Sequence, residues 1–190
     1  LLQLSGLSDY ELQWDYLNYL KWTEVVALML ALVEDEVLAV RVVRLALEVD
    51  WFLGARLVGE VKEMFQEAAF AEVDGLELPG LVKIYLAGLT KLDVAISRLV
   101  EFLLVKYRDV DRGLAANALG QVGSEKAIKK LIPLLQDSDW RVRESAVDAL
   151  GKIGSKTAIE KLIPLLKTSY SDLGGSCLLY TSPSPRDCKT

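Results

Sequence analysis

Chemistry needs particular side chains at particular spacings, and this chain offers few candidates. Glu60, Glu63 and Glu67 recur at helical spacing near one face, an arrangement that could bind a metal or move a proton. A solvated acidic face accounts for them better. Glu34-Asp35-Glu36 could offer oxygens to a cation, but acids in the first turn of a helix also complement the positive end of its dipole. Cys177 and Cys188 are too few for a disulfide framework or a zinc ribbon, and neither is read as a bilin or zinc ligand. The chain has no histidine. That removes Ser-His-Asp and Cys-His nucleophiles, imidazole acid–base work and every His-ligated metal site. No G-x-x-x-x-G-K-[ST] loop occurs, so nucleotide hydrolysis is not assigned to these residues. The expected catalytic, cofactor and metal residues are therefore none, and the chain reads as a binding protein rather than an enzyme.

Residues suited to recognition are easier to find. Trp140 stands beside Arg141 at the start of a helical segment, a pair suited to a protein contact. Trp14, Trp22 and Trp51 read instead as helix-packing anchors. Lys126, Lys129 and Lys130 share one segment, and Lys156, Glu160 and Lys161 share another. Lys130 and Lys161 fall at equivalent places and would form a short basic ridge that steers an acidic protein partner.

The elements that must position these residues are helices arranged in repeats. Residues 112–136 and 143–167 are identical at 15 of 25 positions, at a fixed offset of 31. Gly120 maps to Gly151, Gly123 to Gly154 and Pro133 to Pro164. A degenerate copy lies upstream at an offset of 32, with Gly88 matching Gly120 and Ala95-Ile96 matching Ala127-Ile128. Each unit reads as two helices. Val142, Ala146, Ala149 and Leu150 give the first an apolar face. Gly151 and Gly154 are expected to end it, and Ser155 to cap the second helix. That second helix is expected to bury Ala158, Ile159, Leu162, Ile163, Leu165 and Leu166, with Pro164 loosening its end. Such a pair cannot cover its own apolar stripe, so the pairs must stack.

The pattern A-x-x-A-L-G-x-I-G-S-x-x-A-I-x-x-L-I-P-L-L, preceded by Asp139 and Val142-Arg143, resembles short bacterial HEAT repeats of the phycobilisome-lyase-like group. That resemblance implies an all-α, right-handed solenoid of helical hairpins. It also implies that Asp139 and Arg143 tie neighbouring repeats, while Asp111, where Val142 stands in the next copy, departs from the pattern. Helix pairs are expected near 80–105, 109–136 and 140–167, within a repeat region over 79–169. Residues 1–78 form a helical linker and cap, in which 22–33 is apolar and buried on most sides and 51–72 is one long helix. The strings LNYLKWTEVVALMLALVEDE and RVVRLALEVDWFLGARLVGEVK resemble the linker of NACHT-type signalling NTPases. This second resemblance covers about residues 7–105. It implies that the protein's own NTPase module lies upstream and is a partner. The group label leaves an alternative, a phycobilin lyase or lyase-chaperone acting on antenna proteins.

Composition agrees with a binding role in the cytoplasm. Apolar residues make up 52% of the 190, too many for disorder. The longest apolar run is Val25–Val33, about half a membrane span, and no signal peptide opens the chain. Residues 1–107 hold 17 acidic and 9 basic side chains, and residues 108–190 hold 10 and 13. Neither half has the basic footprint that nucleic acid or anionic lipid demands. The first residue is Leu rather than Met, as in an internal fragment. A disordered tail is expected over 170–190. Within it, residues 177–187, CLLYTSPSPRD, resemble a translated sequencing adapter, so 177–190 is set apart from fold and function.

Overall fold

The computed structural model describes residues 4–104 and 108–163. Among them every regular element is helical. The chain opens with a 3-10 turn, Leu4–Gly6, and a single turn α1 (Asp9–Glu11) closed by a reciprocal Ser8–Glu11 capping box. A π-helical segment, Leu12–Leu17, follows. Then come α2 (Leu20–Leu32), α3 (Glu36–Val49), α4 (Trp51–Val58), α5 (Gln66–Asp74), α6 (Gly80–Thr90), α7 (Ala95–Phe102), α8 (Asp109–Val122), α9 (Glu125–Leu131) and α10 (Trp140–Ile153). Residues 156–163 are helical as well. The chain is an all-α solenoid.

Local chemistry sets the boundaries. Asp35, Asp50, Ser124, Asp139 and Ser155 each accept a backbone N–H at a helix start, so unpaired donors are satisfied there. Gly123 and Gly154 end α8 and α10 at φ +69° and +62°, a conformation that favours glycine. Gly151 does not help end α10: it lies inside the helix, as Gly120 lies inside α8. Pro133 shows what a proline does in the second helix. It ends α9 at Leu131, and the chain tightens into a 3-10 turn, Ile132–Gln136. Pro164, Leu165 and Leu166, like the tail, lie outside the described residues.

Two layers form the stack. Helices α4, α6, α8 and α10 lie side by side, and α5, α7 and α9 pack behind them. The first-layer helices run parallel, because their C-terminal turns meet in series. Gly59, just past α4, abuts the Thr90 carbonyl at the end of α6; Gly88 of α6 abuts Ala118 of α8; Gly120 abuts Ala149 of α10. A Cβ on Gly120 would sit 2.7 Å from that of Ala149, so only glycine permits this approach. The second layer shows the same register in its buried residues. Ala69-Phe70 and Val73 on α5, Ala95-Ile96 and Leu99 on α7, and Ala127-Ile128 and Leu131 on α9 are all buried. Paired helices therefore reach back to α4 and α5, further than the period visible from residue 80. Helix α3 packs on α4 and α5 and covers the start of the stack.

Three expectations for the first third need correction. Residues 51–72 are not one helix: α4 stops at Val58, and a turn followed by the 3-10 segment Glu63–Phe65 leads into α5. That break lets the chain reverse into the second layer. Helix α2 buries only Val26, Ala27 and Leu30, leaving its other side open. Trp14 and Trp51 are exposed rather than anchoring, and only Trp22 is partly buried, edge-on to Tyr16.

Candidate functional site

The outward positions of the second layer follow from its buried register. Between each buried Ala–apolar pair and the next buried residue of α5, α7 and α9 lie two outward positions: Ala71-Glu72, Ser97-Arg98 and Lys129-Lys130. Glu160-Lys161 take the equivalent place on 156–163, where Ala158 is buried but Ile159 is exposed. Arg98 is committed inside the fold. Its guanidinium grips Asp74 through two bonds of 2.5 Å and reaches Glu101 at 2.7 Å. The Arg98 contact holds the Asp74 carboxyl below the usual range, and both acids raise Arg98 in turn. One seam further, Lys126 pairs with Asp93 at 3.0 Å. Hydrogen bonds from Ser124 and then Lys126 lower Asp93. At the last seam the corresponding contact is uncharged on one side, with Thr157 Oγ1 3.5 Å from Glu125 Oε1.

Lys129 and Lys130 have no such partner among the described residues. With Lys126, Asp93, Ile96 and Ser97 they line an open groove of about 390 Å³ between α7 and α9. The groove offers two uncommitted ammonium groups beside a small apolar floor, a surface able to hold carboxylates without reacting with them. Lys161 occupies the matching place on 156–163 and is exposed, but it does not line this groove. Trp140 and Arg141 belong to the other layer, at the start of α10. Trp140 is exposed, with the Arg141 guanidinium 5.4 Å from its ring centroid. The four residues singled out from the sequence therefore fall on two faces and do not form one site. Asp93 and Ser97 were not among them, although the 32-residue offset places Asp93 level with the start of α9.

The carboxylate candidates separate. Glu60 sits in the turn after α4, Glu63 in the 3-10 segment and Glu67 in α5. Among the described residues no group of acids, Cys or His is placed to hold a metal. In the acidic triplet, Asp35 caps α3 and Glu36 opens its first turn. A second groove, about 520 Å³ and mainly apolar, is bordered by Leu20 of α2, Phe52 and Leu53 of α4, and Tyr85 and Leu89 of α6. The Phe52 and Tyr85 rings meet edge-on at 5.6 Å beside it.

The tie between repeats differs from the one the resemblance implied. Asp139 accepts from the backbone of Arg141 and Val142 and serves as a cap. The acid that crosses the seam is Asp137, which takes Nη2 of the buried Arg112 on α8. Arg112 also binds Asp109 at 3.0 Å and the Leu103 carbonyl at 3.2 Å. Arg143 donates to the Asp137 and Ser138 carbonyls of its own loop. Asp111 is held by Arg108 at 3.0 Å, and the seam between α6 and α8 closes through Gly88 and Ala118.

Among the described residues no helix is long and apolar enough to cross a membrane. No curated protein matches the chain. A family model for HEAT repeats matches residues 96–174, which takes in α8, α9 and α10. Over that stretch the chain is similar to HEAT repeats, and the match together with the stacked helix pairs supports a HEAT-repeat protein.

Proposed function

We propose that this chain is a protein-binding scaffold whose second-layer face receives an acidic surface, and that it serves as the partner-binding or sensor arm of a larger signalling NTPase. The observation that carries the reading is the α7–α9 groove, where Lys129 and Lys130 stand without an acidic partner among the described residues. Arg98, Lys126 and Arg112, which act in the seams, are each already paired with an acid. HEAT repeats commonly act as protein-interaction scaffolds, which fits a surface that offers charge and no nucleophile. The link to an NTPase rests on the resemblance of residues 7–105 to a NACHT-type linker. Rim charges of this kind steer association more than they hold a complex, each pair being worth about 0.2–1 kcal/mol.

The test is charge reversal at Lys130 and Lys161 together. The K130E/K161E protein keeps its helical content, and its partners associate more slowly, with a weaker dependence on salt. Unchanged capture of the same partners would remove this face from the proposal. Unaided turnover of a substrate by the chain would remove the scaffold reading itself.

A further inference from the structure

From Val25 to Leu32, helix α2 (LKWTEVVALMLAL) is apolar around its whole circumference, yet the rest of the described chain covers one side of it. The uncovered stripe runs Lys21, Glu24, Val25, Leu28, Ala31 and Leu32, at the spacing of a single helical face. Leu28 is 69% exposed and Leu32 77%. A helix apolar on all sides is normally buried on all sides, and a contiguous exposed apolar patch marks an interaction surface.

The stripe is self-complementary. Its N-terminal end carries Lys21, and its C-terminal end runs into the exposed Glu34-Asp35-Glu36. Laid antiparallel on a second copy with Leu28 at the two-fold axis, Val25 falls opposite the partner's Ala31, and Lys21 lies toward the partner's Glu34-Asp35-Glu36, which follow its helix end at Leu32. Glu24 falls opposite the partner's Leu32. Its carboxylate is already drawn aside by Arg56 of α4, leaving its methylenes to pack. The symmetry repeats each contact, as closed two-fold interfaces require. Ala31 lets the two helices approach closely. The three acids at the end of the stripe disfavour an anionic lipid surface as the occupant.

We infer that α2 is a homodimer interface, in which two copies pair antiparallel through Val25, Leu28, Ala31 and Leu32 with Lys21 set against the partner's acidic triplet. This surface lies on a different element from the lysine groove and stands independently of it.

The experiment uses the full chain and reads mass by light scattering after gel filtration across a wide concentration range. The wild-type chain elutes at twice its monomer mass, and L28E shifts the dissociation constant upward by at least about tenfold. Leu28 is exposed, so L28E retains the wild-type circular dichroism. K21E weakens the dimer as well, and adding E36K to it restores part of the loss. In a C177S/C188S background, oxidation cross-links L28C to itself, whereas V147C at the far end of the stack stays uncross-linked. A wild-type chain that is monomeric throughout overturns the inference. So does a dimer that L28E leaves intact and V147C traps. Flotation of a monomeric wild-type chain with phosphatidylcholine vesicles, abolished by L28E, would assign the stripe to a membrane and overturn it too.

Discussion

The α8–α9 unit and the unit formed by α10 with 156–163 are nearly the same sequence in different surroundings. Ala116 is fully buried where α10 lies over α8, while Val147, its counterpart on α10, is 43% exposed. Ile128 is 1% exposed and its counterpart Ile159 is 48% exposed. Gly120 is pressed against Ala149, and Gly151 has nothing within 4 Å among the described residues. Burial here is a property of the seam between units, which the residues of one unit cannot settle alone. The expectation that Ile159 and Ile163 are buried fails for this reason. Both belong to the apolar stripe of their helix, but no described helix lies over them.

The largest difference between the two units should appear at their arginines. Arg112 is buried and neutralises Asp137, itself nearly buried, across the seam. Removing it strands a carboxylate and leaves the Leu103 carbonyl without its donor. Arg112→Ala should cost about 3–5 kcal/mol, the range for breaking a buried pair by removing one partner. Arg143→Ala loses two bonds to carbonyls at a partly open edge and should cost about 1 kcal/mol. Urea denaturation of the two variants measures both. Equal losses would show that the Arg112–Asp137 pair does not hold the seam.

Part of this could be read from the sequence. The 31-residue offset, the glycine caps at 123 and 154 and the Ser155 cap all follow from local residue chemistry, and local chemistry is what a sequence exposes most directly. The unit at α4–α5 went unseen because Phe70 and Val73 stand where later copies carry Ile and Leu, and the spacing shortens there. The role of Gly120 was missed because a glycine near a helix end has two readings, turn and close approach. Only its neighbour, Ala149, distinguishes them. The seam acid was misplaced by two residues, from Asp137 to Asp139, since both precede the same helix and only side-chain direction separates a cap from a bridge. The groove lysines were visible as charges. Which lysines stay unpaired depends on acids two helices away, such as Asp93.

The next difference lies in the second layer. Ile128→Ala opens a cavity among Ile128's buried neighbours and should cost about 2–5 kcal/mol, whereas Ile159→Ala deletes a half-exposed side chain and should cost less than about 1 kcal/mol. The glycines sharpen the comparison because the same substitution should change sign. Gly120→Ala drives a methyl into Ala149 and should destabilise by about 1–3 kcal/mol. Gly151→Ala adds a methyl in open space within a helix and should stabilise by about 0.5–1 kcal/mol. Thermal midpoints of the two variants moving in the same direction would contradict the open end.

The smallest expected effect separates the seams by pH. The Arg98 contact lowers Asp74 and the Ser124 and Lys126 contacts lower Asp93, so both acids have folded-state values below their unfolded ones. A lowered carboxylate contributes stability that is fully present above its unfolded value, near 4, and that is lost as pH falls through the folded value. Asp93 is partly exposed, so solvent screens its contact, and about 0.2–1 kcal/mol is the appropriate size. The α5–α7 and α7–α9 contacts should therefore loosen below about pH 4, while the matching second-layer contact at the last seam, Thr157 with Glu125, has no ion pair of its own to lose. Asp93→Asn provides the control. It should be less stable than the wild-type chain at neutral pH, and the two should converge as Asp93 becomes protonated. A gap between them that stays constant down to pH values well below 4 would mean that the Asp93 contact acts through packing rather than charge.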